Sequence, residues 1–376
     1  MSVVKRMEWT LPWLLCTFTL WSITGLVAKA DDTTEGQNLA QKTLTLTKAI
    51  DEELATDFQG EVLLRQHGRP LYLSPRATSD EAYATKGNLY VIGSMSKTVF
   101  AAFYLAQHEA QLNQPLDQNA LSAILRRPAP LTPLMLLSHT SEINRNGSGL
   151  HDKKQGDKAA FVYSNANYQL LARLLFPAPS STEPSVQSNI QQDHKPGLQV
   201  ALNDFFISQQ WDIQAQTGEL SQIMARQPRL KAGFQEQLTE NGPRFTATEL
   251  TISEPELASG LLIASVDGMA DFQDRLFGGK LLTASALNAM VTPWAEREHR
   301  WGPMSYGLGL QIVDTPLEYS HSGYVPGYMS LMLYYPESGL QLVMLDNVSR
   351  DLADMERAFA RMDKLRLLVR EYANSL

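Results

Sequence analysis

The run Thr98-Val99-Phe100-Ala101-Ala102-Phe103-Tyr104-Leu105-Ala106 follows directly on Gly93-Ser94-Met95-Ser96-Lys97. As a helix it is apolar on every side, so it must be buried all round and the chain must supply packing partners in every direction. A helix starting near Met95 puts Ser94 at the mouth of this core element. The preceding Leu89-Tyr90-Val91-Ile92 reads as a strand. Residues three apart share a helix face, so the amine of Lys97, once deprotonated, can reach the Ser94 hydroxyl and take its proton. The unpaired N–H groups and partial positive charge of a helix N-terminus favour an oxyanion there. This is an acyl-transfer site in outline. S-x-x-K alone is common, expected by chance roughly once or twice in a chain of this length, and it recurs at Ser2-Val3-Val4-Lys5. The competing reading of Ser94 is a helix cap with a lysine nearby, and the rest of the chain must decide.

Residues 1–30 read as a secretory signal, with Lys5 and Arg6, an apolar stretch over 9–27 and Ala28-Lys29-Ala30 as a small-x-small cleavage site. The expected location is periplasmic or secreted, without stable membrane insertion after cleavage; the length of the apolar stretch leaves an uncleaved anchor as the alternative. Cys16, the single cysteine, leaves with the signal, so the mature chain has no disulfide, thiol nucleophile or cysteine metal site. The remaining length suffices for an ordinary core. A net charge of −8 argues against a nucleic-acid or anionic-membrane surface, and the expected partner is a small-molecule or peptidoglycan-like substrate.

Leu39, Leu46, Ile50 and Leu54 share a helical face. Glu61-Val62-Leu63-Leu64 and Pro70-Leu71-Tyr72-Leu73 flank a turn at His67-Gly68 and read as a hairpin. Helix, hairpin, helix points to α/β or α+β packing. Pro133 starts a short helix that ends near His139, read as a structural hydrogen-bonder. Tyr163-Ser164-Asn165 precedes an apolar helix over 168–176, a turn from which a phenol and an amide can point into the cleft of Ser94. The same triplet pattern at Tyr372-Ala373-Asn374 reads as a helix surface. Residues 177–196 are polar and proline-rich and read as a loop. Helices follow over 202–211 and 220–227, with little regular signal up to 253 and no chemistry legible there. Further on, helices around 266–277 and up to Met290, a strand over 306–312, strands over 330–335 and 340–347 about Pro336-Glu337-Ser338-Gly339, and a closing helix with Met355, Phe359, Met362, Leu365 and Val369 on one face complete the reading. Nothing reads as a nucleotide loop or a metal motif, and no cofactor is expected.

With Ser94-Met95-Ser96-Lys97, Tyr163-Ser164-Asn165 and His321-Ser322-Gly323 in that order, the chain resembles the class C β-lactamase-like serine hydrolases, which include D-alanyl-D-alanine carboxypeptidases and esterases. The related set S-x-x-K, S-D-N and K-T-G has Y-x-N and H-x-G in its second and third places here. Leu136-Leu137-Ser138-His139-Thr140-Ser141, Tyr306-Gly307-Leu308-Gly309 and the continuation Tyr324-Val325-Pro326-Gly327 support the resemblance. It implies a β-lactamase/transpeptidase-like fold, an antiparallel sheet flanked by helices. An α/β lobe of about 31–110 and 257–376 would carry a mostly helical lobe of about 111–256, the site lying between. It further implies Ser94 as the acylated nucleophile, Lys97 as its base, Tyr163 as proton shuttle or deacylation base, and Asn165 as a substrate ligand. His321 and Gly323 would line the cleft, and the N–H groups of Ser94 and Tyr324 would form the oxyanion hole. His321 replaces the lysine of true class C β-lactamases, and Glu142 stands where the family usually has glycine after T-S.

The resulting expectation is an exported serine hydrolase acting through a Ser94 acyl-enzyme on an ester or an amide such as a D-alanyl peptide. The alternatives are a penicillin-binding or sensor-like protein with little turnover, and a β-lactamase proper.

Overall fold

Apolar runs near both ends of the chain, buried on both faces, come together in one sheet. In the computed structural model, which describes residues 34–74, 87–125, 130–144, 161–177 and 196–376, eight antiparallel strands lie side by side. Their order is Ala295–His299, Gly302–Tyr306, Gln311–Asp314, Leu317–Val325, Tyr328–Tyr335, Leu340–Asp346, Glu61–Gln66 and Arg69–Ser74. The first hairpin, Glu61–Gln66 with Arg69–Ser74, forms as expected, with His67 and Gly68 both at positive φ in the tight turn. It docks beside Leu340–Asp346, with Glu61 opposite Leu345. Of Met1–Lys42 only the start of the helix Thr34–Leu54 is described, while Thr43–Leu376 is a unit of its own. The expected signal and most of the expected loop over 177–196 lie outside the described residues.

Because successive residues of a strand face opposite ways, the central strands feed two cores. Leu63, Met332, Val343 and Leu345 pack with the helices Ser96–His108 and Val266–Phe277. Val62, Leu64, Leu331, Leu333, Leu342 and Met344 pack with Leu46 and Ile50 and with Phe359, Met362, Leu365 and Val369 of the closing helix Met355–Asn374, whose first residue, Met355, is exposed rather than on that apolar face. Each fully buried side chain of this size contributes about 1.5–3 kcal/mol. The run Ser96–Leu105 is buried at every position, as its apolar circumference requires.

Three local features differ from the sequence reading or add to it. The segment 306–312 is not one strand: pairing stops at Tyr306 and resumes at Gln311. Between them Gly309, at φ +77, turns against the core helix, where a Cβ would come within 2.7 Å of the Lys97 carbonyl oxygen. Thr98 Oγ1 donates to Gly309 O at 2.5 Å and locks this wedge. Second, the stretch without regular signal contains a hairpin, Phe234–Thr239 with Gly242–Ala247. Most of its residues are exposed on both faces, so it carries no alternation to read. Third, an added hairpin strand, Ala295–His299, precedes the glycine turn at the sheet's edge. Glu142 takes the left-handed backbone (φ +61) that suits the glycine it replaces, at a cost of about 1–2 kcal/mol.

Candidate active site

Ser94 sits in a single 3-10 turn, Gly93–Met95, that feeds the buried helix Ser96–His108. The turn is held from both sides: Ile92 N–H donates to Leu262 O at 2.9 Å, Ser330 Oγ donates to Ile92 O at 2.7 Å, and Leu262 N–H donates to Ser96 Oγ at 3.1 Å. Gly93 is at φ +54, and a Cβ there would lie 2.8 Å from Gly323 Cα and 2.9 Å from Tyr324 N. A Cβ on Gly323 would in turn meet Ser330 Oγ at 2.2 Å and Ile92 O at 2.5 Å. Two glycines thus let the serine turn lie directly on the backbone of the strand Leu317–Val325. The opening N–H groups of a helix have no intrahelical acceptor, and the Tyr324 amide lies against the serine turn at Gly93.

Lys97 is fully buried. Its Nζ is 3.1 Å from Ser94 Oγ, 2.7 Å from Asn165 Oδ1 and 2.5 Å from Ser259 O. All three partners are neutral. Burial without a counter-ion lowers the Lys97 pKa to about 7. The Ser259 carbonyl was not legible in sequence: it is a main-chain acceptor at the end of the helix Glu254–Ser259, one of the carbonyls a helix terminus leaves without an intrahelical donor. The only trace of it is the helix start at Ser253, where Ser253 and Glu256 form a capping box.

Tyr163 and Asn165 flank Ser164, the N-cap of the helix Asn165–Leu175, whose Oγ accepts from Ala166 N–H at 3.2 Å and donates to Asn144 O at 3.3 Å. The Tyr163 phenol is hydrogen-bonded to Ser94, and burial pushes its pKa up to about 12 against that bond and the Arg297 charge. Lys97 Nζ lies 4.9 Å from the Tyr163 ring centroid. His139 proves structural, as the sequence reading had it. Its ring packs on Tyr163 with centroids 4.5 Å apart, and its Nδ1 accepts from Asn167 Nδ2 at 2.8 Å and from Ser164 N–H at 3.3 Å. His139 O also accepts from Val162 N–H at 2.9 Å, so one residue fixes the tyrosine turn from two sides.

The third segment differs from the sequence expectation in one respect. His321 comes within 6.3 Å of Tyr163, centroid to centroid, but both ring nitrogens are engaged by protein: Nδ1–H donates to Ser322 O at 2.8 Å and Nε2 is 3.1 Å from the Tyr306 hydroxyl. Burial and the nearby Lys97 lower its pKa to about 3. A neutral, buried, doubly bonded imidazole offers a ligand no free donor, so what this segment presents to the cleft is backbone. The Tyr324 side chain also points away, donating to Arg350 O at 3.0 Å and packing on Phe359. Its amide remains beside Gly93. No group of metal-ligating side chains occurs among the described residues, and no described helix is long and apolar enough to cross a membrane.

Solved structures share this architecture. The D-amino acid amidase of Ochrobactrum anthropi SV3, complexed with L-phenylalanine amide, has a TM-score of 0.62 at 16% identity, over 89% of this chain and 99% of that one. A D-stereospecific amidohydrolase from Streptomyces sp. has a TM-score of 0.56 at 19% identity, over 84% and 98%. EstCE1, a hydrolase with promiscuous acyltransferase activity, has a TM-score of 0.59 at 16% identity, over 90% and 98%. The antiparallel sheet flanked by helices is therefore that of the β-lactamase and transpeptidase fold. No curated protein matches the chain. The beta-lactamase family model matches residues 56–366, well over half of the sequence, and the chain belongs to that family.

Proposed function

We propose that the protein is an exported serine hydrolase that cleaves esters or amides, D-alanyl peptides among them, through a Ser94 acyl-enzyme. One observation carries this reading: Lys97 Nζ lies 3.1 Å from Ser94 Oγ among neutral acceptors only, with its pKa brought to about 7. A buried amine that is largely neutral just above pH 7 is a base. Ser94 Oγ attacks the carbonyl carbon and passes its proton to Lys97 Nζ, while the carbonyl oxygen gains the negative charge and is held by the Ser94 and Tyr324 N–H groups. Collapse of the tetrahedral intermediate expels the alcohol or amine. Tyr163, still protonated at neutral pH, donates to that leaving group and recovers a proton from Lys97. Water then attacks the acyl carbon, its proton returns through the same pair, and Ser94 Oγ leaves protonated.

Export rests on Lys5, Arg6 and the apolar stretch before Ala30. The likeness to an amidase, an amidohydrolase and an esterase supports acyl transfer over a binding role. His321, neutral and enclosed, weighs against a β-lactamase that needs a fixed cation in the third motif. The test is a panel of p-nitrophenyl esters, D-alanyl peptides and β-lactams together with a fluorophosphonate probe, on wild type and Ser94→Ala. Stoichiometric labelling and turnover of esters or peptides, both abolished in Ser94→Ala, are expected. Labelling that survives the substitution would refute the reading, labelling without turnover would favour a sensor, and rapid cephalosporin hydrolysis would favour a β-lactamase.

A further inference from the structure

The strand Leu317–Val325 is paired on both flanks only as far as Ser320, which lies opposite Gln311 on one side and Leu333 on the other. From His321 onward its one described strand partner is Tyr328–Tyr335, with Tyr324 opposite Met329 and Val325 opposite Tyr328. The serine turn takes the other flank, where a Cβ on Gly93 would lie 2.9 Å from Tyr324 N. A strand end without ladder bonds on one flank keeps its place only if something else grips it. Besides Ser330 Oγ, which reaches Ile92 O, three hydrogen bonds grip this hairpin. Tyr324 Oη donates to Arg350 O at 3.0 Å, Gly327 N–H donates to Ser349 Oγ at 2.8 Å, and Tyr328 Oη donates to Lys231 O at 2.7 Å.

The first two acceptors are neighbours in a short segment that is itself held from two directions. Val348 and Ser349 pair in parallel with Phe234 and Gln235 of the surface hairpin. The buried Arg350 guanidinium bridges Asp57, whose O and Oδ2 both lie at 3.0 Å, and Glu236, whose Oε1 lies at 3.5 Å. A planar fork between two carboxylates fixes the residue that carries it. Of the three donors, only Tyr324 also carries an amide that meets the serine turn. Its ring packs on Phe359 with centroids 6.1 Å apart. Pinned at its ring and at its hydroxyl, a side chain with two torsions leaves its own backbone little room to move.

We propose that the Tyr324 phenol and Arg350 are positioning residues: Arg350, anchored by Asp57 and Glu236, holds the phenol, and the phenol holds the Tyr324 amide against the serine turn. The proposal deepens the serine-hydrolase reading and rests on it. Neither side chain touches the reacting atoms. Donors to a developing oxyanion act through short, aligned bonds, so slack at this strand end slows the chemical step and leaves substrate binding and Lys97 as they are. The test follows p-nitrophenyl butyrate hydrolysis in wild type, Tyr324→Phe and Arg350→Lys, with rates expressed per site titrated by a fluorophosphonate. In Tyr324→Phe, kcat per labelled site falls by at least about fivefold, with KM and the acidic limb of the pH–rate profile unchanged. Arg350→Lys, which keeps the charge and loses the bridge, falls in the same parameter by less. A smaller fall in Tyr324→Phe, or one carried by KM or by a displaced acidic limb, would overturn the proposal, and an unchanged Arg350→Lys would overturn the share of Arg350. If labelling occurs without turnover, its second-order rate takes the place of kcat. Wild type that resists labelling would count against the hydrolase reading itself. In that event, amide hydrogen exchange over residues 323–328 that is faster by at least about fivefold in Tyr324→Phe still supports the positioning, and a smaller change overturns it.

Discussion

Two parts of this molecule bury ionisable side chains equally deeply and treat them in opposite ways. Beside the closing helix, Glu318 is fully buried, yet Arg366 Nε at 2.8 Å and Arg370 Nη1 at 3.3 Å meet its carboxylate, and Tyr335 donates to it at 2.8 Å. Glu236 is similar: burial acts to raise its pKa, but hydrogen bonds from Arg357 and the Asp351 amide, and the charges of Arg357 and Arg350, hold it below the ordinary value. In the crevice, Lys97 has only neutral acceptors and Arg297 only aromatic faces. Opposite charge, where supplied, fixes the protonation state and ties helix to sheet. Where it is withheld, the proton becomes mobile near neutrality.

The largest effect that tests this contrast is Lys97→Met, which removes the base and is expected to lower kcat/KM by about 10³–10⁴-fold with the far-UV circular dichroism unchanged. Residual activity within tenfold of wild type would break it. In the wild type, kcat/KM should rise about tenfold per pH unit below 7 and level off above, since only the neutral amine accepts the serine proton. The sign for stability agrees: between about 7 and the ordinary 10.5 the unfolded chain binds the Lys97 proton and the folded one does not, so stability rises with pH across that window. Next in size, Glu318→Ala strands two guanidiniums and should cost about 3 kcal/mol in urea unfolding, while leaving the kcat/KM of the folded protein as it was.

Asn165→Asp sharpens the contrast by importing into the crevice what the closing helix already has. A carboxylate 2.7 Å from Lys97 Nζ should move the acidic limb of the pH–rate profile upward by about one unit or more. A limb that does not move would mean that another group governs it. At the small end, the exposed pair Lys48–Glu52, 3.9 Å apart, has solvent to screen it. Lys48→Ala should change stability by less than about 0.5 kcal/mol, measured in the same denaturant series.

How much of this was legible in the sequence depends on what kind of atom does the work. Ser94, Lys97, Tyr163 and Asn165 announce themselves because side-chain chemistry sits at helix starts, and those starts carry signals in Gly93 and Ser164. The central strands were legible from their apolar runs, and the first hairpin from its His67-Gly68 turn. Ser259 was not, because its contribution is a carbonyl that any residue type would supply. Arg297 was hidden in Glu296-Arg297-Glu298, a stretch that reads as a solvated face until its neighbours across the sheet are known. The hairpin Phe234–Thr239 with Gly242–Ala247 stands on ion pairs such as Arg357 with Glu236, and these leave no periodic trace. His321 looked like a ligand for a substrate because the sequence shows neither its enclosure nor the Tyr306 hydroxyl that occupies its ring nitrogen.

The contact between Gly93 and Gly323 has a consequence for how such a chain can diverge. These two positions contribute no functional group, yet a single methyl at either would wedge the serine turn off the strand and spread the two amides of the proposed oxyanion hole. On the proposed function, replacing a side chain around the rim would change which molecules are processed, whereas a methyl at this seam would change whether any are. The tolerance of this seam is set by two hydrogen atoms.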